Sequence, residues 1–186
     1  LELSSFQLET TYSLKAVAAT VLNISEDHMN RYTDLEDYRQ AKLKIYHQCQ
    51  TAVINAEDPL TKEDNRQSAQ VQLSFGERNA DYWLKTDNGK QYLMAKDEVI
   101  LPCDEVKLVG RHNYMNALAA IGLVQAAGIK TAGIQTALRT FTGLDHRFQL
   151  AHFADGVRWI NDSKATNVGS TVAALTGLHL TGTLHL

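Results

Sequence analysis

Short apolar runs alternating with helix-patterned stretches constrain this chain more than any single motif does. Val17 to Asn23 is a run suited to a strand buried on both faces, and it empties into the polar segment ISEDHMNRY. DLEDYRQAKLKIYHQC then has the acid-rich first turn of a helix, with Asp34 placed to cap it. Its apolar residues Leu35, Tyr38, Ile45, Tyr46 and Cys49 fall on one face at helical spacing. TAVINAED reads as the next buried strand. Strand, helix, strand in that order is the grammar of a βαβ unit, and hence of an α/β fold built on a parallel sheet.

VQLSFG reads as a further strand, and DYWLKTDNGKQYLMA as a hairpin in which Asn88-Gly89 supplies the positive φ angles of a type I′ turn. RHNYMNALAAIGLVQAAGI is an Ala-rich helix closing on Gly128, and TAGIQTALRTF a shorter one closing near Gly143. After GLDHRF the pattern changes. FQLAHFADGVRWIND is a hairpin about Asp155-Gly156, NVGSTVAALTGL a helix, and TLHL the opening of a strand. A boundary between Thr142 and Arg147 divides the chain into residues 1–145 and 146–186. The chain starts without Met and stops in an apolar segment, so both ends read as cuts through a larger protein.

Composition narrows the function classes. With 186 residues, 44% of them hydrophobic, there is enough chain for a packed core. No run approaches the length of a membrane span, and no secretory leader is visible. A net charge of -3 with no basic run argues against a nucleic-acid partner. Cys49 and Cys103 match no metal or redox spacing and read as reduced thiols of a cytosolic protein.

The densest chemistry lies in VRWINDSKATN. A strand of β-branched and aromatic residues ends in Asn161, Asp162, Ser163, Lys164, Thr166 and Asn167, six polar side chains in seven positions. A solvated turn with an N-cap for the next helix accounts for such residues, and so does a ligand-binding loop. Lys42 is the second anomaly. Spacings of four, three and four lead from Tyr38 through Lys42 and Ile45 to Cys49, which sets a lysine within an apolar helix face. Snorkelling is the ordinary explanation. The functional one is an amine neutralised by burial, able to take up carbon dioxide as a carbamate and so to ligate a hard metal ion. Glu2, beside Leu1 and Leu3 at what reads as another strand end, and His28, after a buried strand, are further candidates. Asn113 and Asn116 either cap the Ala-rich helix or meet a nucleotide base, and Arg147 pairs with a local acid such as Asp145 or reaches a phosphate. A phosphate-binding G-x-x-x-x-G-K-[ST] loop is missing.

Taken together, ELSSFQLE, SEDHMNRY, YRQAKLKIY, GRHNYMNALAA, FTGLDHRFQ and WINDSKATNVGST resemble the Mur ligases, ATP-dependent amide ligases of bacterial cell-wall synthesis. The resemblance is greatest to the members that add D-glutamate, because DSKATN stands where others carry a DYAH-like sequence. It implies that residues 1–145 are part of a central parallel-sheet ATPase domain lacking its P-loop, and that 146–186 begin a Rossmann-like C-terminal domain. The implied cofactors are ATP and Mg²⁺, the implied partners UDP-N-acetylmuramoyl-L-alanine and D-glutamate, and the whole protein is expected to be a cytoplasmic monomer. By resemblance Glu2, His28 and a carbamylated Lys42 hold the metal. Lys42, His28 and Arg147 form the catalytic set. Asn113, Asn116, Arg147, Asp162 and Lys164 bind ATP, and Ser4, Gln7 and Thr166 bind substrate. A folylpolyglutamate synthetase-like ligase and a non-catalytic nucleotide-binding module are the alternatives.

Overall fold

The computed structural model describes residues 1–63, 69–108, 110–176 and 182–186. It opens with a short helix, α1 (Ser5–Glu9), where no helix is expected from hydrophobic pattern. Ser4 caps it reciprocally: the Gln7 N–H donates to the Ser4 hydroxyl at 3.2 Å, and the Ser4 N–H donates to the Gln7 side chain at 2.8 Å. Glu2 therefore precedes a helix and does not end a strand.

Three strands run parallel: β1 (Ala18–Ala19), β2 (Thr51–Asn55) and β3 (Val71–Gly76). β1 is much shorter than the apolar run that contains it. Beyond Ala19 the chain leaves the ladder, and side chains take over the pairing. Thr20 Oγ1 donates to the Val53 carbonyl at 2.6 Å, the Val21 N–H to the Tyr46 hydroxyl at 3.0 Å, and Asn55 Nδ2 to the Leu22 carbonyl at 2.8 Å. The connection between β1 and β2 is α2 (Leu35–Leu43), capped by Asp34, whose carboxylate accepts the Asp37 N–H at 2.8 Å. The helix tightens into a 3₁₀ turn over Lys44–Tyr46, which swings Tyr46 and Cys49 into the core.

β4 (Tyr82–Asp87) joins β3 in parallel through two residue pairs, and β5 (Lys90–Ala95) and β6 (Glu98–Pro102) complete the sheet antiparallel. At the β4–β5 turn Asn88 and Gly89 have φ of 48° and 78°, the expected type I′ chemistry. β6 is a strand the apolar pattern of the sequence does not separate from the hairpin before it. Two helices follow, α3 (Arg111–Ala126) and α4 (Thr131–Thr140). α3 stops in a Schellman motif, with Gly128 at φ 81° and the Ile129 N–H reaching the Val124 carbonyl at 2.9 Å.

The pleat of β2 explains the layering. Ala52 and Ile54 face one way, into a core with Tyr32, Tyr38, Leu43, Tyr46 and Cys49. Val53 faces the other way, into a core with Phe75, Leu93, Ile100, Leu101, Leu118 and Ile121. α2 and α3 thus cover opposite faces of one sheet, and each fully buried Leu or Ile contributes on the order of 1.5–3 kcal/mol. α3 lies so close that a Cβ on Gly122 would stand 2.8 Å from Val53 Cγ1 and 2.9 Å from Tyr82 Cε2.

A second sheet has two antiparallel strands, β7 (Gln149–Ala154) and β8 (Val157–Asn161), and precedes α5 (Val168–Thr176). Residues 183–186, expected to open a strand, form none. No partner strand lies beside them among the described residues, so that run has no ladder to join. The last expected residues of the helix at NVGSTVAALTGL, Gly177 and Leu178, lie outside the described residues.

Candidate active site

Two strand ends carry the candidate residues. The first is the loop after β1. His28 adopts a left-handed conformation, φ 57°, held because its N–H donates to Asp27 Oδ1 at 2.9 Å and its carbonyl accepts the Arg31 N–H at 2.9 Å. The His28 ring lies edge-on to Tyr38 at 6.3 Å and against Phe6 at 5.0 Å. Lys42 is half-buried, and its ammonium sits over the same Tyr38 ring, 5.1 Å from the centroid. The helix period thus brings Lys42 and His28 to one aromatic ring, while Lys44 is exposed.

The buried cation of α2 is a different residue. Arg39, only 3% exposed, donates to the Leu60 carbonyl at 2.8 Å, to the Lys62 carbonyl and to Glu36 at 2.9 Å. It stitches α2 to the segment after β2, a structural task that helical spacing did not single out.

α1 is fastened to this loop by Glu9. Its carboxylate accepts from Tyr32 Oη at 2.7 Å and pairs with Arg31 at 2.5 Å, while the Arg31 guanidinium covers the Phe6 ring. The Arg31 and Tyr32 hydrogen bonds hold the Glu9 carboxyl below its ordinary pKa. Ser4 and Gln7, the expected substrate contacts, are occupied with each other as the cap of α1.

The second strand end is the loop after β8. Asp162 Oδ1 accepts the Phe148 N–H at 2.9 Å, and the Lys164 N–H donates to the His146 carbonyl at 3.1 Å. His146 and Phe148 both have positive φ, 66° and 47°. Arg147, between them, is therefore carried by a backbone that Asp162 and Lys164 pin in place. Its guanidinium lies 3.8 Å from Glu2, just before α1, where a pairing with Asp145 was one expectation; Asp145 instead accepts from Gln149 at 2.8 Å. The Lys164 and Thr166 side chains are exposed. Asn167 fulfils the N-cap expectation, its Oδ1 accepting the Ser170 N–H at 2.8 Å.

Asn113 and Asn116 lie in the first turns of α3, but neither caps it. The N-cap position falls on Gly110, φ 114°, with no side-chain bond. His112 precedes Asn113 on α3, within reach of the charge of Asp162. Its Nδ1 is buried and has no hydrogen-bond partner among the described residues. Burial pushes the imidazole below its ordinary pKa, and the charge of Asp162 pulls it the other way. Sequence pattern gave no sign of His112, since its neighbours Asn113 and Asn116 in GRHNYMN were read as helix caps or as nucleotide contacts.

Among the described residues no group of three or more His, Cys, Asp or Glu is placed to hold an ion. His28 and Lys42 converge, but an imidazole and an ammonium offer Mg²⁺ no oxygen. A carbamate on Lys42 would place oxygen atoms on the side chain that shares the Tyr38 ring with His28.

Known proteins similar to this chain give its family. A family model described as the Mur ligase middle domain matches residues 1–124. This chain belongs to the Mur ligase family. The UDP-N-acetylmuramoylalanine--D-glutamate ligase of Mannheimia succiniciproducens is 81% identical over all 186 residues, which make up 42% of that protein. The enzyme of the same name from Pasteurella multocida is 78% identical over the same span, again 42% of its length. The crystal structure of MurF from Acinetobacter baumannii superposes with a TM-score of 0.71 at 23% identity, covering 89% of this chain and 38% of that one. This Mur ligase chain thus spans less than half the length of the curated relatives it matches.

Proposed function

We propose that this chain is the middle part of an ATP-dependent ligase that joins D-glutamate to UDP-N-acetylmuramoyl-L-alanine. Its supporting observation is the 81% identity, along the whole chain, to an enzyme named for that reaction. Residues 1–145 serve as part of the ATP-side domain and 146–186 as the start of the next; the separation of a six-stranded sheet from a two-stranded one supports that division.

In the proposed reaction the free carboxylate of the nucleotide sugar attacks the γ-phosphorus of ATP, forming an acyl phosphate and ADP. The amine of D-glutamate adds to the acyl carbon, and phosphate leaves as the amide forms. The protein's task is positioning and charge neutralisation. Asn113 and Asn116, on successive turns of α3, suit the adenine side. Arg147 and Lys164 are the exposed cations for phosphate, and pinning of their backbones by Asp162 and His146 limits the entropy lost when they bind. Asp162 offers a carboxylate oxygen to a ribose hydroxyl, and Thr166 a hydroxyl to the glutamate carboxylate. Ser4 and Gln7 meet the nucleotide sugar through α1. Glu2, His28 and carbamylated Lys42 would hold Mg²⁺, which when bound offsets the charge of the triphosphate.

The carbamate makes a specific test. Carbon dioxide adds to the neutral Lys42 amine with loss of a proton. In the full-length enzyme Lys42→Ala therefore loses at least about a hundredfold in kcat, the scale of a lost charge-stabilising group. Short carboxylic acids added to the assay restore part of it. Normal turnover by the variant would refute the carbamate. For the reaction itself, mass spectrometry of the nucleotide product should show one added glutamyl residue, and its absence with folded protein would refute the ligase reading.

A further inference from the structure

We propose that Asn167 is a positioning residue: its side-chain amide ties the loop after β8 to the loop after β1 and sets the spacing between the groups each loop carries. This deepens the ligase reading and rests on it, since Lys164 and Thr166 stand on one loop and His28 on the other.

The tie uses both ends of one amide. Asn167 Oδ1 accepts from Ser170 N–H at 2.8 Å and from Ser170 Oγ at 3.0 Å, so the carbonyl end caps α5. That orientation turns Nδ2 outward, and it donates to Asp27 Oδ2 at 3.2 Å across 140 residues of sequence. The other oxygen of Asp27 accepts the His28 N–H at 2.9 Å. One carboxylate thus fixes the left-handed turn of His28 and receives Asn167. Gly169 gives an independent sign of the same approach, since a Cβ there would lie 3.3 Å from Ser25 Oγ. The first turn of α5 is seated on residues 25–27.

An amide is the group this position requires. It caps with an acceptor while donating with the adjacent nitrogen, which neither a carboxylate nor a hydroxyl of serine length does here. Asn167→Asp keeps the cap, and adds a favourable negative charge at the helix start, but sets a carboxylate against Asp27. It separates the tie from the folding of α5. Exchanging the two, Asp27→Asn with Asn167→Asp, rebuilds a donor and an acceptor with their roles reversed, and the amide introduced at 27 still accepts the His28 N–H.

The test uses the full-length enzyme and two readouts. Spin labels at the exposed positions Gln91 and Arg158, with ATP and nucleotide sugar present, report the spacing between the two sheets by electron–electron resonance. Phosphate release reports kcat and KM. Asn167→Asp should lengthen and broaden the distance distribution and lower kcat about tenfold, the scale of coupling between directly contacting groups, with KM for ATP little changed. The double variant should recover most of both. Glu105→Gln, which loosens only the distant Arg139 pair, should change neither. Wild-type distances and turnover in Asn167→Asp would overturn the proposal, and so would a double variant no better than the single one. Absence of D-glutamate-dependent release from the wild type would fell the ligase reading alone, because the distance comparison decides the tie by itself.

Discussion

Two hairpins of this chain, β4–β5 and β7–β8, turn alike and end differently. At the β4–β5 turn Asn88 and Gly89 have φ of 48° and 78°, and at the β7–β8 turn Asp155 and Gly156 have 51° and 77°. Yet the first hairpin buries Leu84, Leu93 and Met94, at 8%, 0% and 3% exposure, while the second exposes Leu150, Phe153 and Trp159 at 55%, 59% and 61%. Local chemistry therefore dictates the turn, and nothing more. Burial comes from α3, α4 and β6, which the first hairpin has and the second lacks among the described residues. A two-stranded ribbon without such cover is marginal by itself.

The largest expected effect is at the covered hairpin. Leu93→Ala should cost about 2–5 kcal/mol in urea denaturation of the 186-residue chain, whereas Trp159→Ala should cost less than about 1 kcal/mol. Equal losses would mean that the second hairpin is packed as well as the first. Next comes Gly122→Ala, which drives a methyl group into Val53 and Tyr82 and should cost about 1–3 kcal/mol. Gly89→Ala and Gly156→Ala test the likeness of the two turns. Nothing lies within 4 Å of either Cβ position, so only the positive φ resists. Each should cost about 1 kcal/mol, and a clear inequality would break the comparison.

A pH dependence also belongs to the covered region. Burial pushes the Cys103 thiol up to about 11, so the folded chain keeps it neutral where the unfolded chain ionises near the ordinary cysteine value. The stability it contributes is whole below that ordinary value and is lost as pH rises from there toward about 11. Replacing Cys103 with Ala should flatten the alkaline fall in Tm. An unchanged slope would remove Cys103 as its source.

Much of this was legible in the residues. The βαβ unit, the Asp34 cap, both turns and the closure on Gly128 follow from local preferences that tertiary contacts do not contradict. α1 was missed although Ser4 and Gln7 spell a capping box, because five residues are too few to show a period. The long apolar run after Val17 misled for a related reason: side chains of Thr20, Tyr46 and Asn55 replaced the ladder there, and hydropathy does not distinguish the two. In the candidate site, helical spacing led from Tyr38 to Lys42 and the structure brings His28 to the same ring. Asp27 with Asn167 and Arg147 with Glu2 are joined only by the three-dimensional fold, and no local pattern encodes either pair.

The most direct measurement is phosphate release by the full-length enzyme from ATP and UDP-N-acetylmuramoyl-L-alanine, with D-glutamate compared against L-glutamate. The account predicts release that depends on the D-isomer and is lost when Lys164 becomes Ala. Equal release with both isomers, or none with either from folded protein, would contradict it.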